Sequence, residues 1–123
     1  MVYNHYNETG LPMIEDSSFD GQFAFGHYGD PSKLFIKANI NSIITTNLFD
    51  HAYNVINAIN GHEGGHFSDW VKRAHGDHFQ YVSLSVEERE LIAIDYQRAH
   101  PSWNKTTESF KQKILMLQNH SNK

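Results

Sequence analysis

The alternation of apolar and polar side chains marks two short strands in the first third of the chain. Residues 33–40 alternate between two faces, which is the period of a half-buried β-strand. Residues 22–28 are rich in aromatic side chains, which favour extended backbone. The intervening Gly-Asp-Pro-Ser sequence at 29–32 is typical of a turn. The pattern predicts a β-hairpin across about 22–40 in a small antiparallel sheet, preceded by an irregular N-terminal arm at 1–21.

Apolar residues then recur at helical spacing in the middle of the chain. The spacing predicts a first helix that begins near Asn47, whose side chain can cap the first turn, and continues to about Val71. Gly61, Gly64 and Gly65 lie inside this helix, where each costs about 1 kcal/mol relative to alanine. We expect these glycines to allow another element to approach the helix closely.

Two further helices are predicted after a loop at 75–85. Ser85 is followed three residues later by Glu88, which is the spacing of a capping box and starts a helix. This helix ends before Pro101, because proline cannot continue it. A third helix is predicted at about 106–119 from the spacing of its apolar residues.

These elements predict an α+β fold in a single domain that spans residues 1–123. The small sheet packs on the first helix and on the second, and the C-terminal helix completes the domain. A chain of 123 residues is long enough for one hydrophobic core.

Composition narrows the classes of function. The chain contains no cysteine, which excludes disulfides, thiolate metal sites and a cysteine nucleophile. A net charge of −4 and scattered basic residues argue against a nucleic-acid surface. No apolar stretch approaches the roughly 18 residues of a membrane span, and the N-terminus lacks the pattern of a secretory signal. The nine histidines are the unusual feature, and they direct attention to metal binding.

The segment His62-Glu63-Gly64-Gly65-His66 carries the candidate chemistry. Residues four apart lie on the same face of a helix, so both histidines can offer a nitrogen to one metal ion. Glu63 points beside that ion, where a carboxylate can take a proton from a metal-activated water. The segment therefore indicates a zinc hydrolase with His62 and His66 as ligands and Glu63 as the general base. The alternative is a pair of structural histidines on a helix face.

A catalytic zinc ion takes three protein ligands and a water, so a third ligand is needed. The metzincin pattern requires Gly at position 69 and His at position 72, where this chain has Asp69 and Lys72. Glu90, on the second helix, shares an inward-facing stripe with Ala93. We predict Glu90 as the third ligand because a carboxylate on a buried face needs a partner. The alternatives on the sequence are His75, His78 and His100.

Two supporting roles complete the predicted site. Metal-bound histidines usually donate their second ring nitrogen to a carboxylate or carbonyl, for which Asp69 and Asp95 are the candidates. Hydrolysis also benefits from a donor to the developing oxyanion. Four residues have suitable chemistry for that donor, and the sequence leaves the choice open: His78, Tyr81, Tyr96 and His100.

The motif at 62–66 followed by Glu90 resembles the gluzincin branch of the zincin metallopeptidases. The resemblance implies two histidine ligands and a general base on one helix and a glutamate ligand on the next. It also implies a sheet whose edge strand holds an extended peptide, and the strand at 33–40 is the candidate for this edge. Thermolysin-like enzymes have an aspartate four residues after the ligand glutamate, where this chain has Ile94. The surroundings of the ligands must therefore be built differently here.

A closer similarity covers roughly residues 35–112. The strings ELIAIDYQ at 90–97, HPSW at 100–103 and KTT at 105–107 look like those of compact metallopeptidase domains at the C-termini of bacterial polymorphic toxins. The similarity implies a domain made as the tail of a larger secreted or injected bacterial protein. It also implies an immunity or inhibitor protein as a partner.

We therefore predict a zinc metalloendopeptidase that hydrolyses a polypeptide substrate through a Zn²⁺-activated water. The alternative is a non-catalytic zinc-binding domain, or an effector that binds a partner through the same scaffold. A structural module with solvated histidines is the third hypothesis. Zinc content separates the third hypothesis from the other two, and Glu63→Gln separates the first two from each other.

Overall fold

The computed structural model describes residues 2–27 and 33–121. Its strands are β1 (Met13–Glu15), β2 (Phe23–Gly26) and β3 (Phe35–Ala38). They form one sheet in the order β1-β3-β2, with β2 antiparallel and β1 parallel to β3. The α+β prediction is confirmed, and so are the two strands of the hairpin predicted across about 22–40. The predicted turn at 29–32 lies outside the described residues.

The sheet is mixed and not antiparallel, because the N-terminal segment supplies β1. This strand pairs with β3 from Met13 opposite Ile36 to Glu15 opposite Ala38. A 3₁₀ helix precedes it at Val2–Tyr6. The prediction of an irregular arm was wrong for these stretches. A strand of three residues is too short to show alternation, and its partner lies far along the chain.

β3 is the central strand, so the prediction that the strand at 33–40 forms an edge was wrong. Its Ile36 and Ala38 are fully buried. Alternation reports which face of a strand meets the core but does not report which strands flank it. The chain also leaves the sheet earlier than predicted, because Asn39 caps a short helix, α1 (Ile40–Ile44), by accepting a hydrogen bond from the backbone N–H of Ser42.

The predicted first helix is present as one continuous helix over residues 52–72, called the long helix below. It consists of α2 (Ala52–Ile56), a π-helical segment (Asn57–Glu63) and α3 (Gly64–Lys72). π-helical turns are rare and frequently lie at functional sites. Here the π-helical segment ends inside the His-Glu-x-x-His motif.

The long helix starts later than the sequence predicted. Asn47 does not cap it: Thr46 caps a separate 3₁₀ helix at Asn47–Asp50. The backbone is then extended at His51 before α2 begins. Apolar spacing continues across this break, so the pattern alone does not reveal it.

Three further α-helices and a 3₁₀ helix at Trp103–Lys105 complete the described fold. The α-helices are α4 (His78–Tyr81), α5 (Val86–Ala99) and α6 (Glu108–Ser121). The capping box that starts α5 is confirmed, since Ser85 and Glu88 each bond the other's backbone N–H. α4 occupies part of the segment predicted as a loop. None of the helices in the described part of the chain is long and apolar enough to span a membrane.

α5 packs directly on the long helix through two glycines. A Cβ on Gly65 would lie 3.0 Å from the Cα and the carbonyl oxygen of Ala93, and one on Gly61 would lie 3.2 Å from the Cα of Gln97. The prediction that glycines allow close approach is confirmed at these two positions. Gly64 is different, because a Cβ there would meet no atom closer than 3.8 Å.

A stripe of three buried asparagines runs along the first half of the long helix and is called the asparagine stripe: Asn54, Asn57 and Asn60. Each carboxamide binds other segments of the chain. Their partners are Leu48 and Thr107 for Asn54, Gln97 and Ser102 for Asn57, and Tyr6 and Glu8 for Asn60. The stripe thereby anchors the N-terminal segment, the C-terminal end of α5 and the start of α6 to one helix.

Candidate metal centre

The two motif histidines lie where the π-helical segment meets α3. His62 belongs to the π-helical segment and His66 to the first turn of α3, with ring centroids 5.1 Å apart. Ligand atoms of His62, Glu63 and His66 lie within 4.8 Å of one another. The structure therefore brings these three side chains close together.

The carboxylate of Glu90 reaches both histidines from α5. Its Oε1 lies 2.7 Å from Nε2 of His66, and its Oε2 lies 3.1 Å from Nε2 of His62. The sequence nominated Glu90 from its place on the inward-facing stripe of the second helix. The close packing of α5 on Gly61 and Gly65 brings the stripe to this position.

This donor set fits a zinc ion. Two imidazole nitrogens and one carboxylate form a His₂Glu set, which is a known ligand set of catalytic zinc. Ligand atoms around a tetrahedral zinc ion at bond lengths of 2.0–2.2 Å lie about 3.3 Å from one another. The observed separations of 2.7 and 3.1 Å are close to that value. Both separations between a histidine nitrogen and the Glu90 carboxylate are therefore compatible with donors that share one zinc ion.

The other ring nitrogen of each histidine has a buried partner. Nδ1 of His62 lies 2.9 Å from Oε1 of Gln97, and Nδ1 of His66 lies 3.2 Å from the hydroxyl of Tyr81. Gln97 and Tyr81 are each about 1% exposed. When Nδ1–H donates to these oxygens, Nε2 of both rings is left unprotonated, which is the tautomer that binds metal.

The charges of the centre are strongly coupled. Burial lowers the pKa of His62, but the charge of Glu63 and the hydrogen bond with Glu90 outweigh burial and raise that pKa to about 9. Burial raises the pKa of Glu90, but its hydrogen bonds with His62 and His66 outweigh burial and hold the pKa well below its ordinary value. Protons and a metal cation would therefore compete for the same atoms.

Glu63 lies between the histidines and the sheet. It is only 5% exposed, and burial raises the pKa of its carboxyl group. The nearby backbone N–H of Phe25, in β2, favours the charged carboxylate and partly offsets the effect of burial on this pKa. A buried carboxylate with a raised pKa is better suited to accept a proton than a solvated one. β2 thus lies on the same cleft as the predicted general base, a proximity that the sequence did not indicate.

The candidate centre opens into a cleft of about 380 Å³, which is lined by His62, Glu63, His66 and Glu90 among others. This volume is within the size range of small-molecule and substrate sites. The cleft is bounded by β2, the long helix, α5 and α6. β2 is an edge strand of the sheet, and three of its residues line the cleft. An edge strand beside the candidate centre is therefore present, although it is β2 and not the strand at 33–40.

Arg89 also lines the cleft. Its Nε donates to the carbonyl oxygen of Leu84 at 3.3 Å, and its guanidinium lies 4.9 Å from the centre of the Tyr81 ring. Within residues 2–27 and 33–121, Arg89 forms no salt bridge with a carboxylate. It is therefore a half-buried cation with donors available to a ligand in the cleft.

The four residues predicted as oxyanion donors lie in different places. Tyr81 hydrogen-bonds His66, and burial raises its pKa to about 12. His78 lies beside His27, with ring centroids 5.2 Å apart, and the Nδ1 atoms of both are buried without a partner in the described structure. Tyr96 lies on the other side of the long helix, near Gly64. His100 hydrogen-bonds Ser102. Of the four, only Tyr81 lines the cleft.

The aspartates predicted to orient the histidines bind other side chains. Asp69 is buried and forms a bidentate ion pair with Arg73, with its closest contact at 2.6 Å. Asp95 accepts a hydrogen bond from Gln118 on the surface. His75, one of the alternative third ligands, is exposed just after α3 with φ of 54°. Gln97 and Tyr81, and not the aspartates, contact the Nδ1 atoms of the two histidines.

Gln97 and Arg89 are the residues that sequence reasoning missed. Gln97 stands seven residues after Glu90 on the same inward-facing stripe, and a polar side chain at a buried position calls for a partner. That signal was available. Nothing in the sequence indicated that Arg89 lines the cleft, because its surroundings depend on how α4 and α5 pack together.

Comparisons of the chain with protein-family models, with curated proteins and with solved structures found no match. The case for a function therefore depends on the geometry of the site.

Proposed function

We propose that this chain is a zinc-dependent endopeptidase with His62, His66 and Glu90 as the metal ligands and Glu63 as the general base. The observation that carries the proposal is the convergence of both histidine Nε2 atoms on the Glu90 carboxylate, at 2.7 and 3.1 Å. The buried Glu63 lies beside them at the floor of a cleft. Helix-borne His₂Glu sites with an adjacent glutamate base are the arrangement of gluzincin-type metallopeptidases.

The residues of the centre divide the chemistry between them. Zinc, when bound, lowers the pKa of water and polarises the substrate carbonyl. Glu63 accepts a proton from the water whose oxygen attacks the carbonyl carbon. The same carboxyl group then delivers this proton to the amide nitrogen as the carbon–nitrogen bond breaks. Arg89, the half-buried cation of the cleft, donates to the carbonyl oxygen as negative charge develops there.

A polypeptide is the substrate class that the cleft supports best. β2 is an edge strand, and an extended peptide can add to such an edge through backbone hydrogen bonds. Phe23, Ala24 and Phe25 of β2 line the cleft beside Glu63. This edge would align the scissile bond with the proposed base. The zincin-like arrangement of sheet edge and active-site helix is part of the same proposal.

Zinc content and the variant Glu63→Gln test the proposal together. We expect about one zinc per chain after dialysis of the purified protein, measured by elemental analysis. We expect Glu63→Gln to retain this zinc and to cleave a mixed peptide library about 10²–10⁴-fold more slowly, because only the base is lost. Glu87→Gln, which removes an exposed carboxylate at the start of α5, is the matched control and should cleave normally.

Two outcomes would contradict the proposal. If the purified protein binds no zinc at neutral pH, the proposed metal centre does not exist. Stoichiometric zinc without cleavage of any peptide would favour the alternative, a zinc-binding domain or effector that acts by binding a partner.

A further inference from the structure

The cleft continues from the candidate metal centre into a space lined by apolar side chains, which is called the apolar pocket below. Its walls come from β2, the 3₁₀ helix at Asn47–Asp50, the long helix and α6. The apolar wall residues are Phe23, Phe49, Ala58, Phe110, Ile114 and Leu117. Most of them pack together as one cluster on the core. Ala58 lies one turn before His62 on the long helix, so the pocket adjoins the metal ligands.

Lys113 is the one charged residue that α6 contributes to this cleft. It is half-buried, and it forms no hydrogen bond or salt bridge with any residue in the described part of the chain. The neighbouring Lys111, in contrast, donates to the carbonyl oxygen of Thr106. A half-buried ammonium without an anionic partner makes the entry of a second cation unfavourable.

We propose that the apolar pocket receives the substrate side chain next to the scissile bond, that it selects bulky apolar side chains, and that Lys113 excludes lysine and arginine. This inference rests on the proposed endopeptidase function. The apolar walls favour a large side chain because each buried methylene contributes about 0.8 kcal/mol. The charge of Lys113 adds a repulsive element, which is how binding sites commonly exclude near-competitors.

The first experiment reads cleavage sites by mass spectrometry after digestion of a proteome-derived peptide library with the zinc-loaded protein. We expect phenylalanine and leucine to be enriched about 10–100-fold over alanine at one position beside the cut. Lysine and arginine should be depleted there. Lys113→Glu should relieve this depletion at least about tenfold and leave the preference for phenylalanine in place.

Lys111→Glu is the matched control, because it makes the same change of charge on the same helix at a residue that does not line the cleft. Its cleavage profile should equal that of the wild-type protein, and thermal melting checks that both variants are folded. Active Lys113→Glu protein with the wild-type profile would overturn the proposed role of Lys113. An active wild-type protein without any preference for bulky apolar residues would overturn the proposed pocket.

A second experiment tests the pocket without relying on cleavage. The ¹⁵N-labelled protein is titrated with N-acetyl-phenylalaninamide and, separately, with N-acetyl-lysinamide, and amide chemical shifts are followed. We expect the phenylalanine probe to shift the amides of Phe110, Ile114 and Leu117, and the lysine probe to do so only in Lys113→Glu. Shifts without any peptide cleavage would leave the pocket standing and contradict the proposed enzyme. The absence of shifts would overturn the pocket.

Discussion

The asparagine stripe and the motif histidines lie on consecutive turns of the long helix, and both bury polar side chains, but their nitrogen atoms have different kinds of partner. Asn57 is fully buried, and its Nδ2 donates to the carbonyl oxygen of Gln97 and to Oγ of Ser102, each at 3.0 Å. His62 uses only Nδ1 in this way, on Oε1 of Gln97. Its Nε2 faces the Glu90 carboxylate at the wall of the cleft.

This difference separates buried polar groups that hold the fold together from buried polar groups that are available to bind a ligand. The asparagine stripe joins segments that are distant in sequence. Most of its hydrogen bonds are to main-chain groups, which cannot move independently of the backbone. The histidines are fixed on one side by Gln97 and Tyr81 and present the other nitrogen to the cleft. Gln97 belongs to both regions, since its backbone binds Asn57 and its side chain binds His62.

The largest expected effect is the loss of zinc affinity when one of the motif histidines is replaced. His66→Ala should lower the affinity for zinc by about two orders of magnitude or more. Structural zinc sites with four ligands gain roughly 10–16 kcal/mol, or about 3 kcal/mol per ligand. Competition with a chromophoric chelator measures the change. His51→Ala, at an exposed histidine just before the long helix, should bind zinc as the wild type does. Equal affinities for the two variants would remove His66 from the ligand set.

A substitution in the asparagine stripe should lower the stability of the protein and leave its zinc affinity unchanged. Asn57→Ala removes two buried hydrogen bonds, each of which contributes about 1 kcal/mol and leaves an unsatisfied partner when lost. We expect the free energy of unfolding to fall by about 2–3 kcal/mol, measured by urea denaturation with a chelator present. Asn119→Ala, on the exposed surface of α6, is the control. If Asn57→Ala lost zinc affinity as His66→Ala does while its stability stayed unchanged, the division into two regions would be mistaken.

Gln97 tests the boundary between the two regions. Gln97→Leu keeps the volume of the side chain and the backbone bond to Asn57, but it removes the acceptor of Nδ1–H of His62. Loss of such an outer partner lowers zinc affinity by about 10–100-fold. Gln80→Leu, at an exposed glutamine on α4, should leave zinc affinity unchanged. An unaltered zinc affinity in Gln97→Leu would mean that the carboxamide does not hold the tautomer of His62.

The smallest expected effects come from two adjacent glycines of the motif, and they have opposite signs. Gly65→Ala should destabilise the protein by about 1–3 kcal/mol, because the new Cβ would crowd the backbone of Ala93 at 3.0 Å. Gly64→Ala should stabilise it by up to about 1 kcal/mol, because the new Cβ has room and alanine favours helix. Thermal melting of both variants measures the difference. Stabilisation by Gly65→Ala would show that α5 does not need the close approach.

Short-range patterns predicted the parts of the molecule that depend on neighbouring residues. The capping box at Ser85 and Glu88 was readable because its hydrogen bonds span three residues. The pairing of His62 with His66 followed from the helical repeat, and Glu90 followed from the stripe that it shares with Ala93. The two strands of the hairpin were readable from alternation, and the structure confirms their antiparallel pairing.

Long-range packing decided what these patterns could not specify. The parallel pairing of β1 with β3 makes β3 the central strand and leaves β2 as the edge beside the candidate centre, and no local repeat encodes which strands become neighbours. The partners of the histidine Nδ1 atoms were likewise mistaken for aspartates. A carboxylate is the commonest choice by chemistry, but the fold brings Gln97 and Tyr81 to those nitrogens.

The sequence by itself determined which side chains could form a His₂Glu site, because helical periodicity places residues on faces. Only the tertiary structure decided that the faces of two helices meet, and the reason is steric. At Gly61 and Gly65 the long helix has no Cβ to hold α5 away, so the Glu90 carboxylate comes within 3.1 Å of both imidazoles. The supporting side chains, the edge strand and the apolar pocket beside the site all follow from contacts between segments that lie far apart in the chain.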